Sequence, residues 1–209
     1  MTSTRSPKLN YRHLIGAIGL LLFATWLNFT MSELIHAWYP ERQPAIDTLF
    51  RLTPYVGWTQ YLTDIANIAS IVLLAVYVFP KRIHTLPFVL TVFGIAEVMR
   101  GLIIILTPMG GPLGNVVHYG LTTINQYGEF PSGHTIVVTV AYLLVNKKEA
   151  PVIKGLLLFS LIAEIVSLIL SRGHYSIDII GGMLVSYFAY HELTKRTSPK
   201  TSETTVFNG

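Results

Sequence analysis

The chain has 209 residues, of which 51% are hydrophobic and only 12% are charged, and its mean hydropathy is +0.51. Soluble domains typically contain about 25% charged residues, so this composition excludes a disordered chain and an ordinary soluble enzyme. Cysteine is absent, which excludes disulfides, thiolate metal ligands and cysteine nucleophiles. The net charge of +4 is interpreted as a topology signal rather than as nucleic-acid binding, because basic residues accumulate in cytoplasmic loops. Composition therefore predicts an integral membrane protein.

The first half of the chain alternates polar and apolar stretches. Residues 1–12 are polar and basic, and the apolar run 14–38 is long enough to predict a first membrane span. Residues 39–58 mix proline, charged and aromatic residues, which predicts a segment lying at the membrane interface. In that segment we expect Ile46 and Leu49 to dip into the membrane while Asp47 and Arg51 face water.

Five further apolar runs predict the remaining spans, at about 60–79, 86–106, 134–146, 152–170 and 175–194. We expect residues 107–133 to form a long loop and the Thr/Ser-rich residues 195–209 to be a disordered tail. The predicted fold is all-α, with six transmembrane helices in one bundle. We expect a cytoplasmic segment at 1–12, a catalytic membrane domain at 13–194 with its motif-bearing core at about 60–194, and the tail.

The distribution of basic residues predicts the orientation of this bundle. Eleven of the 15 Lys and Arg residues fall in segments on one side, three (Arg42, Arg51 and Arg172) fall on the other, and Arg100 lies within a span. The positive-inside rule places the side with eleven in the cytoplasm. Both termini are then cytoplasmic, and loops 107–133 and 171–175 face the periplasm, the lumen or the exterior.

Two motifs on the predicted extracytoplasmic face carry the chemically informative residues, GEFPSGHT (128–135) and SRGHYSID (171–178). A single interfacial histidine commonly only caps a helix or anchors it among headgroups. Two motifs on the same face favour a shared site. The Pro-Ser-Gly turn opens a helix whose N-terminal amides suit a phosphate, and Arg172 can bind two phosphate oxygens with its planar guanidinium.

The same motifs suggest a mechanism of phosphoryl transfer. His174 lies four residues before Asp178, so the carboxylate can hold one imidazole nitrogen and leave the other to attack phosphorus. His134 is then placed to protonate the leaving alkoxide and to deprotonate the acceptor. Because no cluster of acidic residues is evident, we expect no metal and no cofactor, and a covalent phosphohistidine instead.

These residues resemble the type-2 phosphatidic acid phosphatase superfamily, whose members have six helices and a metal-free site with two histidines and an aspartate. The resemblance implies that His174 is the nucleophile, Asp178 its orienting partner and His134 the acid/base. It also implies phosphate binding by Ser132, Gly133 and Arg172.

Two departures shift the resemblance away from the phosphatases. The phosphatases have a Lys seven residues before an Arg-Pro pair, whereas this chain has Phe93 before Arg100 and then Gly101. The compact Ser-Arg-x-His-Tyr-x-x-Asp motif is more similar to the sphingomyelin synthase and inositol phosphorylceramide synthase branch, which moves phospho-headgroups between lipid alcohols. We therefore expect a membrane phospholipid or lipid phosphate as substrate and either a lipid alcohol or water as acceptor.

Alternatives and supporting residues complete the prediction. Two alternative functions are compatible with the sequence: a simple lipid phosphate or polyprenyl diphosphate phosphatase, and a non-catalytic lipid-binding or transporter protein. The sequence does not indicate the oligomeric state. Arg100 either forms an internal ion pair with Glu97 or reaches the substrate phosphate while Glu97 positions it. Further candidates for support of the substrate site are Ser171, Tyr175 and His118.

Overall fold

The computed structural model describes residues 8–113 and 128–197, and within these ranges the regular structure is helical. The helices are α1 (Tyr11–Trp38), α2 (Thr48–Leu52), α3 (Gln60–Val78), α4 (Leu86–Ile104), α5 (Gly133–Leu144), α6 (Pro151–Leu170) and α7 (Ser176–Thr197). Short 3₁₀ turns at Gly57–Thr59 and Ile83–Thr85 lead into α3 and α4. The predicted all-α fold is confirmed for the described residues.

Four helical segments are long and apolar enough to cross a membrane: Tyr11–Trp38, Gly57–Val78, Ile83–Ile104 and Pro151–Leu170. The protein is therefore an integral membrane protein. α5 has 12 residues, about 18 Å at 1.5 Å per residue, which is less than the roughly 30 Å of a bilayer core. α7 has 22 residues but carries Asp178 in its first turn and Lys195 and Arg196 in its last. All six predicted helices are present, but that each of the six crosses the membrane stays a prediction.

Successive long helices run in opposite directions, so the helix ends lie in two groups on opposite sides of the bundle. One group, here called the site end, holds the chain segments 128–135 and 171–178. There, the Val56 amide donates to the Leu170 carbonyl at 2.8 Å, and the Ser132 amide donates to the Asp178 carbonyl at 3.0 Å. The opposite group, here called the basic end, holds the α3–α4 and α5–α6 turns, where Arg82 pairs with Glu149 at 2.8 Å.

Helices α1 and α4 run in the same direction and pack closely together. Glycines of α4 allow the two backbones to approach each other. A Cβ atom at Gly94 would lie 2.8 Å from Leu20, and one at Gly101 would lie 3.0 Å from Leu27. Small residues serve this purpose in membrane bundles, where van der Waals packing replaces the hydrophobic effect as the driving force. Close packing brings Asn28 of α1 against Arg100 of α4.

The interior holds two apolar clusters, and the outer faces are apolar as well. One cluster joins α3 through α6 around Leu74 and Leu157, and the other joins α4, α5 and α7 around Val92 and Val185. Large apolar side chains also face outward, for example Phe159, which is 70% exposed. A helix that is hydrophobic all round suits a lipid environment.

The interfacial segment differs from the prediction at Asp47. This carboxylate is buried rather than exposed to water: one oxygen caps α2 through the Leu49 amide at 2.8 Å, and the other accepts the Ser176 amide at 2.5 Å. Ile46 and Arg51 are exposed as expected for an interfacial segment. The expectation for Asp47 is wrong because the carboxylate joins α2 to the start of α7.

Candidate active site

The two sequence motifs meet at the site end of the bundle. His134 lies in the first turn of α5, and His174 lies in the turn between α6 and α7. Their ring centroids are 5.8 Å apart in an edge-on arrangement. The bond between the Ser132 amide and the Asp178 carbonyl holds the two helix starts side by side. The folded chain thus brings together the two histidines that were predicted to share a site.

The Nδ1 atom of His174 faces carboxylates. It lies 3.4 Å from Oδ2 of Asp178, the predicted orienting residue, and 3.1 Å from Oε2 of Glu129. The same Asp178 oxygen accepts the Tyr175 amide at 2.9 Å, so the carboxylate is itself held in place. A carboxylate on Nδ1 favours the tautomer in which Nδ1 carries the proton and Nε2 can act as the nucleophile.

Glu129 is the residue for which sequence reasoning found no role. It lies in the first motif, only 4% exposed, five residues before His134. Gly128 makes this approach possible, because its φ of 111° is left-handed and a Cβ there would collide with Ile104. The signal available in the sequence was an acidic residue two positions before the Pro-Ser-Gly turn, but its partner His174 lies 45 positions later in the chain.

The charge state of His174 reflects these neighbours. Burial alone disfavours the imidazolium, but the hydrogen bonds and negative charges of Asp178 and Glu129 outweigh it and raise the pKa of His174 to about 9. In the resting site the imidazole is therefore mostly protonated at neutral pH. It must lose a proton before Nε2 can attack phosphorus.

The expectation that no acidic cluster stands near the site is wrong. Ligand atoms of Glu129, His174 and Asp178 lie within 4.8 Å of one another, and all three residues are buried. A nitrogen and two carboxylate oxygens are a donor set that Zn²⁺ and other divalent ions accept. The same arrangement is an ion pair when His174 is protonated, so the geometry suits either a metal ion or a charged histidine.

The start of α5 is organised around Ser132 and Gly133. Ser132 is fully buried and caps α5, since its hydroxyl accepts the Thr135 amide at 3.2 Å. Gly133 lies against Arg100, whose Nε would be 3.1 Å from a Cβ at that position. Arg100 donates from Nε to the Pro131 carbonyl at 3.1 Å and from Nη1 to Asn28 at 2.6 Å. This guanidinium supports the turn that presents His134.

The Arg172 side chain is directed at α2. Its two terminal nitrogens donate to the Phe50 carbonyl, to both the hydroxyl and the carbonyl of Thr53, and to the Ile169 carbonyl, at 2.6–3.0 Å. The guanidinium also lies 4.4 Å from the Phe50 ring centroid. Four donor positions are thus used by the protein itself. Phosphate binding by Arg172 stays a prediction, and the contacts that the structure shows are structural.

The residues predicted to support the substrate site lie in different parts of the structure. Tyr175 is buried and joins three segments, because its hydroxyl donates to the Gly110 carbonyl and accepts the Ala45 amide, both at 2.8 Å. Ser171 is the buried C-cap of α6. Glu97 lies one turn before Arg100 on α4, and its carbonyl accepts from Asn28 at 2.7 Å. His118 lies outside the described residues.

Comparison with known proteins agrees with the motifs. Residues 130–195 match the family described as PAP2 superfamily C-terminal. The chain is also 26% identical, over 219 aligned positions, to phosphatidylcholine:ceramide cholinephosphotransferase 1 of Caenorhabditis elegans; the alignment covers 88% of this chain and 46% of that protein. The chain thus spans about half the length of this curated relative. The matched segment contains His134, His174 and Asp178, and the predicted resemblance to the type-2 phosphatidic acid phosphatase superfamily and its sphingomyelin-synthase-like branch is confirmed.

Proposed function

We propose that the protein is a membrane-embedded lipid phosphotransferase that transfers a phospho-headgroup from a phospholipid to a lipid alcohol. The observation that carries the proposal is the pair of histidine rings 5.8 Å apart, with carboxylates on Nδ1 of His174. The similarity to a phosphatidylcholine:ceramide cholinephosphotransferase supports the substrate class. The compact second motif favours a lipid alcohol over water as acceptor.

In the first step, Nε2 of neutral His174 attacks the phosphorus of the phospholipid. Before this attack, the Nε2 proton of His174 passes to His134. A nitrogen–phosphorus bond then forms, the bond to the diacylglycerol oxygen breaks, and His134 gives that proton to the leaving alkoxide. In the second step, the acceptor hydroxyl attacks the phosphohistidine, its proton passes to His134, and the nitrogen–phosphorus bond breaks. Asp178 and Glu129 hold Nδ1–H of His174 throughout.

The amides at the start of α5 would bind the phosphoryl oxygens, assisted by the positive end of the helix dipole. Arg100 lies directly behind this turn, so its charge adds to the positive potential there. The acyl chains of the substrate would stay in the bilayer. The headgroup would enter at the site end, which the positive-inside rule assigns to the extracytoplasmic face.

The test incubates the purified protein with phosphatidylcholine labelled in the headgroup, with and without ceramide or diacylglycerol. A new labelled phospholipid identifies a transferase, and water-soluble label alone identifies a hydrolase. His174→Ala is expected to lower turnover by a factor of about 1,000 or more. His191→Gln, near the other end of α7, is the matched control and keeps wild-type turnover.

Two further outcomes separate the alternatives. Equal product from the wild type and from His174→Ala would contradict an enzyme that uses His174, and would favour a lipid-binding or transporter protein. Turnover is expected to survive EDTA. If EDTA abolishes turnover and Zn²⁺ or Mg²⁺ restores it, the cluster of Glu129, His174 and Asp178 holds a metal and the metal-free mechanism is wrong.

A further inference from the structure

A cavity lies at the basic end, on the side of the bundle opposite to the candidate active site. Its volume is about 360 Å³, and it opens where the α3–α4 turn, the α5–α6 turn and the last part of α7 meet. Its lining includes the polar residues Arg82, His84, Asn146, Glu149 and Tyr190. It also includes the apolar residues Val78, Phe88, Val89 and Leu144. A ligand that fits such a cavity has a polar head and an apolar body.

The guanidinium of Arg82 is oriented before any ligand arrives. It donates to one oxygen of Glu149 from Nη2 at 2.8 Å and from Nε at 3.2 Å, and it lies 4.3 Å from the Tyr77 ring centroid. The Tyr77 hydroxyl donates to the same Glu149 oxygen at 2.8 Å. The Arg82 side chain is nevertheless 30% exposed. Nη1 donates to the Tyr77 carbonyl at 3.5 Å, so the guanidinium keeps one further N–H on each terminal nitrogen for a phosphate.

The charges around the cavity favour an anion. Besides Arg82, the described residues at this end include six basic side chains: Lys81, Lys147, Lys148, Lys154, Lys195 and Arg196. The acidic residues described there are Glu149, which pairs with Arg82, and Glu192, which pairs with Lys195 at 2.9 Å. The positive excess explains orientation in the membrane, but a cavity lined by both polar and apolar side chains goes beyond what orientation requires.

We propose that this cavity binds the phosphate headgroup of an anionic phospholipid in the leaflet opposite to the candidate active site. The phosphate would contact Arg82 and His84, and the first part of the acyl chains would lie over Phe88 and Leu144. Basic pockets between transmembrane helices bind anionic headgroups in this manner. Because Glu149 competes for Arg82, its carboxylate weakens the affinity for the lipid.

The test measures lipid retention by the full chain in detergent, using native mass spectrometry after exchange into mixed micelles of phosphatidylglycerol and phosphatidylcholine. The wild type is expected to retain phosphatidylglycerol in preference. Arg82→Gln should lower that retention roughly fivefold, the effect of one basic residue near an anionic headgroup. Glu149→Gln should raise it, since Arg82 is then released for the phosphate. Lys195→Gln removes a charge from the same end outside the cavity and should change little.

Each contrary result overturns the proposal. Equal retention of the two lipids by the wild type would mean that the cavity has no preference for an anionic headgroup. Equal losses in Arg82→Gln and Lys195→Gln would mean that total charge, not the cavity, attracts the lipid. If sn-glycerol 3-phosphate displaces the lipid at equal concentration, the ligand is a soluble phosphate ester. Should Arg82→Gln fail to fold, unchanged retention in Glu149→Gln is sufficient to refute the inference.

Discussion

At the scale of single residues, the electrostatics of His174 determine how the site must respond to pH. Two carboxylates raise the pKa of this imidazole to about 9, and only its neutral form can attack phosphorus. The mechanism also needs a proton on His134, which the pair supplies from His174, so turnover of the wild type should hold below about pH 9 and fall above it as the pair loses that proton. This fall is expected whether the acceptor is a lipid alcohol or water.

Replacing Glu129 by Gln should move that fall to lower pH. The substitution removes a negative charge 3.1 Å from Nδ1, so the pKa of His174 should fall by about one unit or more. The measurement is the pH profile of turnover at saturating lipid. Glu192→Gln, an acidic residue at the basic end, should leave the profile unchanged. An unshifted profile in Glu129→Gln would mean that His174 is not the group that titrates.

The pairing of His174 with Glu129 also makes the stability of the folded protein depend on pH. His174 has an ordinary pKa of 6.5 when unfolded and about 9 when folded. Its contribution is therefore fully present below about pH 6.5 and is lost as the pH rises through about 9. The thermal midpoint of the wild type should fall over that interval. In Glu129→Gln the fall should be smaller and should begin at lower pH, and an identical fall in both proteins would contradict the assignment.

The meeting of His134 and His174, 40 positions apart, was predicted because both motifs fall on one predicted membrane face, but individual contacts could be predicted only between residues close in sequence. His174 and Asp178 are four apart, and this spacing alone indicated their contact. Glu129 and His174 come from different loops, and nothing in the local pattern indicates that the chain folds Glu129 inward. Arg172 was predicted to bind phosphate because of its charge and position. The acceptors that surround it, Phe50 and Thr53, lie about 120 positions earlier and could not be deduced from the sequence.

At the scale of elements, Arg172 links the turn that holds His174 to α2. It follows the end of α6 with a φ of 56°, and the Gly173 amide donates to the Leu168 carbonyl as in a Schellman motif. Glycine usually occupies this left-handed position, and another residue there has a conformational cost of about 1 kcal/mol or more. The four hydrogen bonds of the guanidinium offset that cost, which indicates that holding α2 is a function of Arg172.

Arg172→Lys should therefore loosen α2. A lysine keeps the charge but cannot reach four acceptors with one ammonium group. Hydrogen exchange of the amides in Thr48–Leu52 should accelerate several-fold, while the matched control Arg51→Lys, an exposed residue of α2 itself, should not change it. If exchange is unchanged and only the substrate KM rises, Arg172 acts on the phosphate instead.

The contact of α5 with α7 is a second element on which the site depends. A Cβ at Gly182 would lie 2.7 Å from the Ser132 carbonyl oxygen and 3.0 Å from Cβ of Thr135. Gly182→Ala should push α7 away from the start of α5, lower stability by about 1–3 kcal/mol and separate His134 from His174. Thermal unfolding in detergent and turnover measure the two effects.

Gly155→Ala is the matched control, because a Cβ at Gly155 of α6 meets nothing within 4 Å. This substitution should be neutral or stabilise by up to about 1 kcal/mol, since alanine has the higher helix propensity. Equal midpoints for Gly182→Ala and Gly155→Ala would show that α5 and α7 can separate without loss of stability.

At the scale of the whole molecule, the apolar pattern predicts where helices lie but not how far each crosses the bilayer. The runs 14–38, 60–79, 86–106 and 152–170 correspond to helices that are long and apolar enough to span. The run 134–146 corresponds to a helix of 12 residues, Gly133–Leu144, which is shorter than a bilayer core is thick. Hydropathy indicates the apolar character of α5. Where α5 begins depends instead on tertiary contacts of the preceding turn with Asp178 and Arg100.

The orientation of the bundle is the remaining prediction, and the chain is well suited to its test because it contains no cysteine. Glu41 lies in the exposed loop after α1, at the site end, and Lys148 lies in the exposed α5–α6 turn at the basic end. In intact cells, a membrane-impermeant maleimide should label Glu41→Cys but should label Lys148→Cys only after permeabilisation. Retained turnover in both variants shows that the fold is intact. Labelling of Lys148→Cys alone would invert the topology and place the candidate active site on the cytoplasmic face, and labelling of both would show that the site end and the basic end are not separated by the membrane.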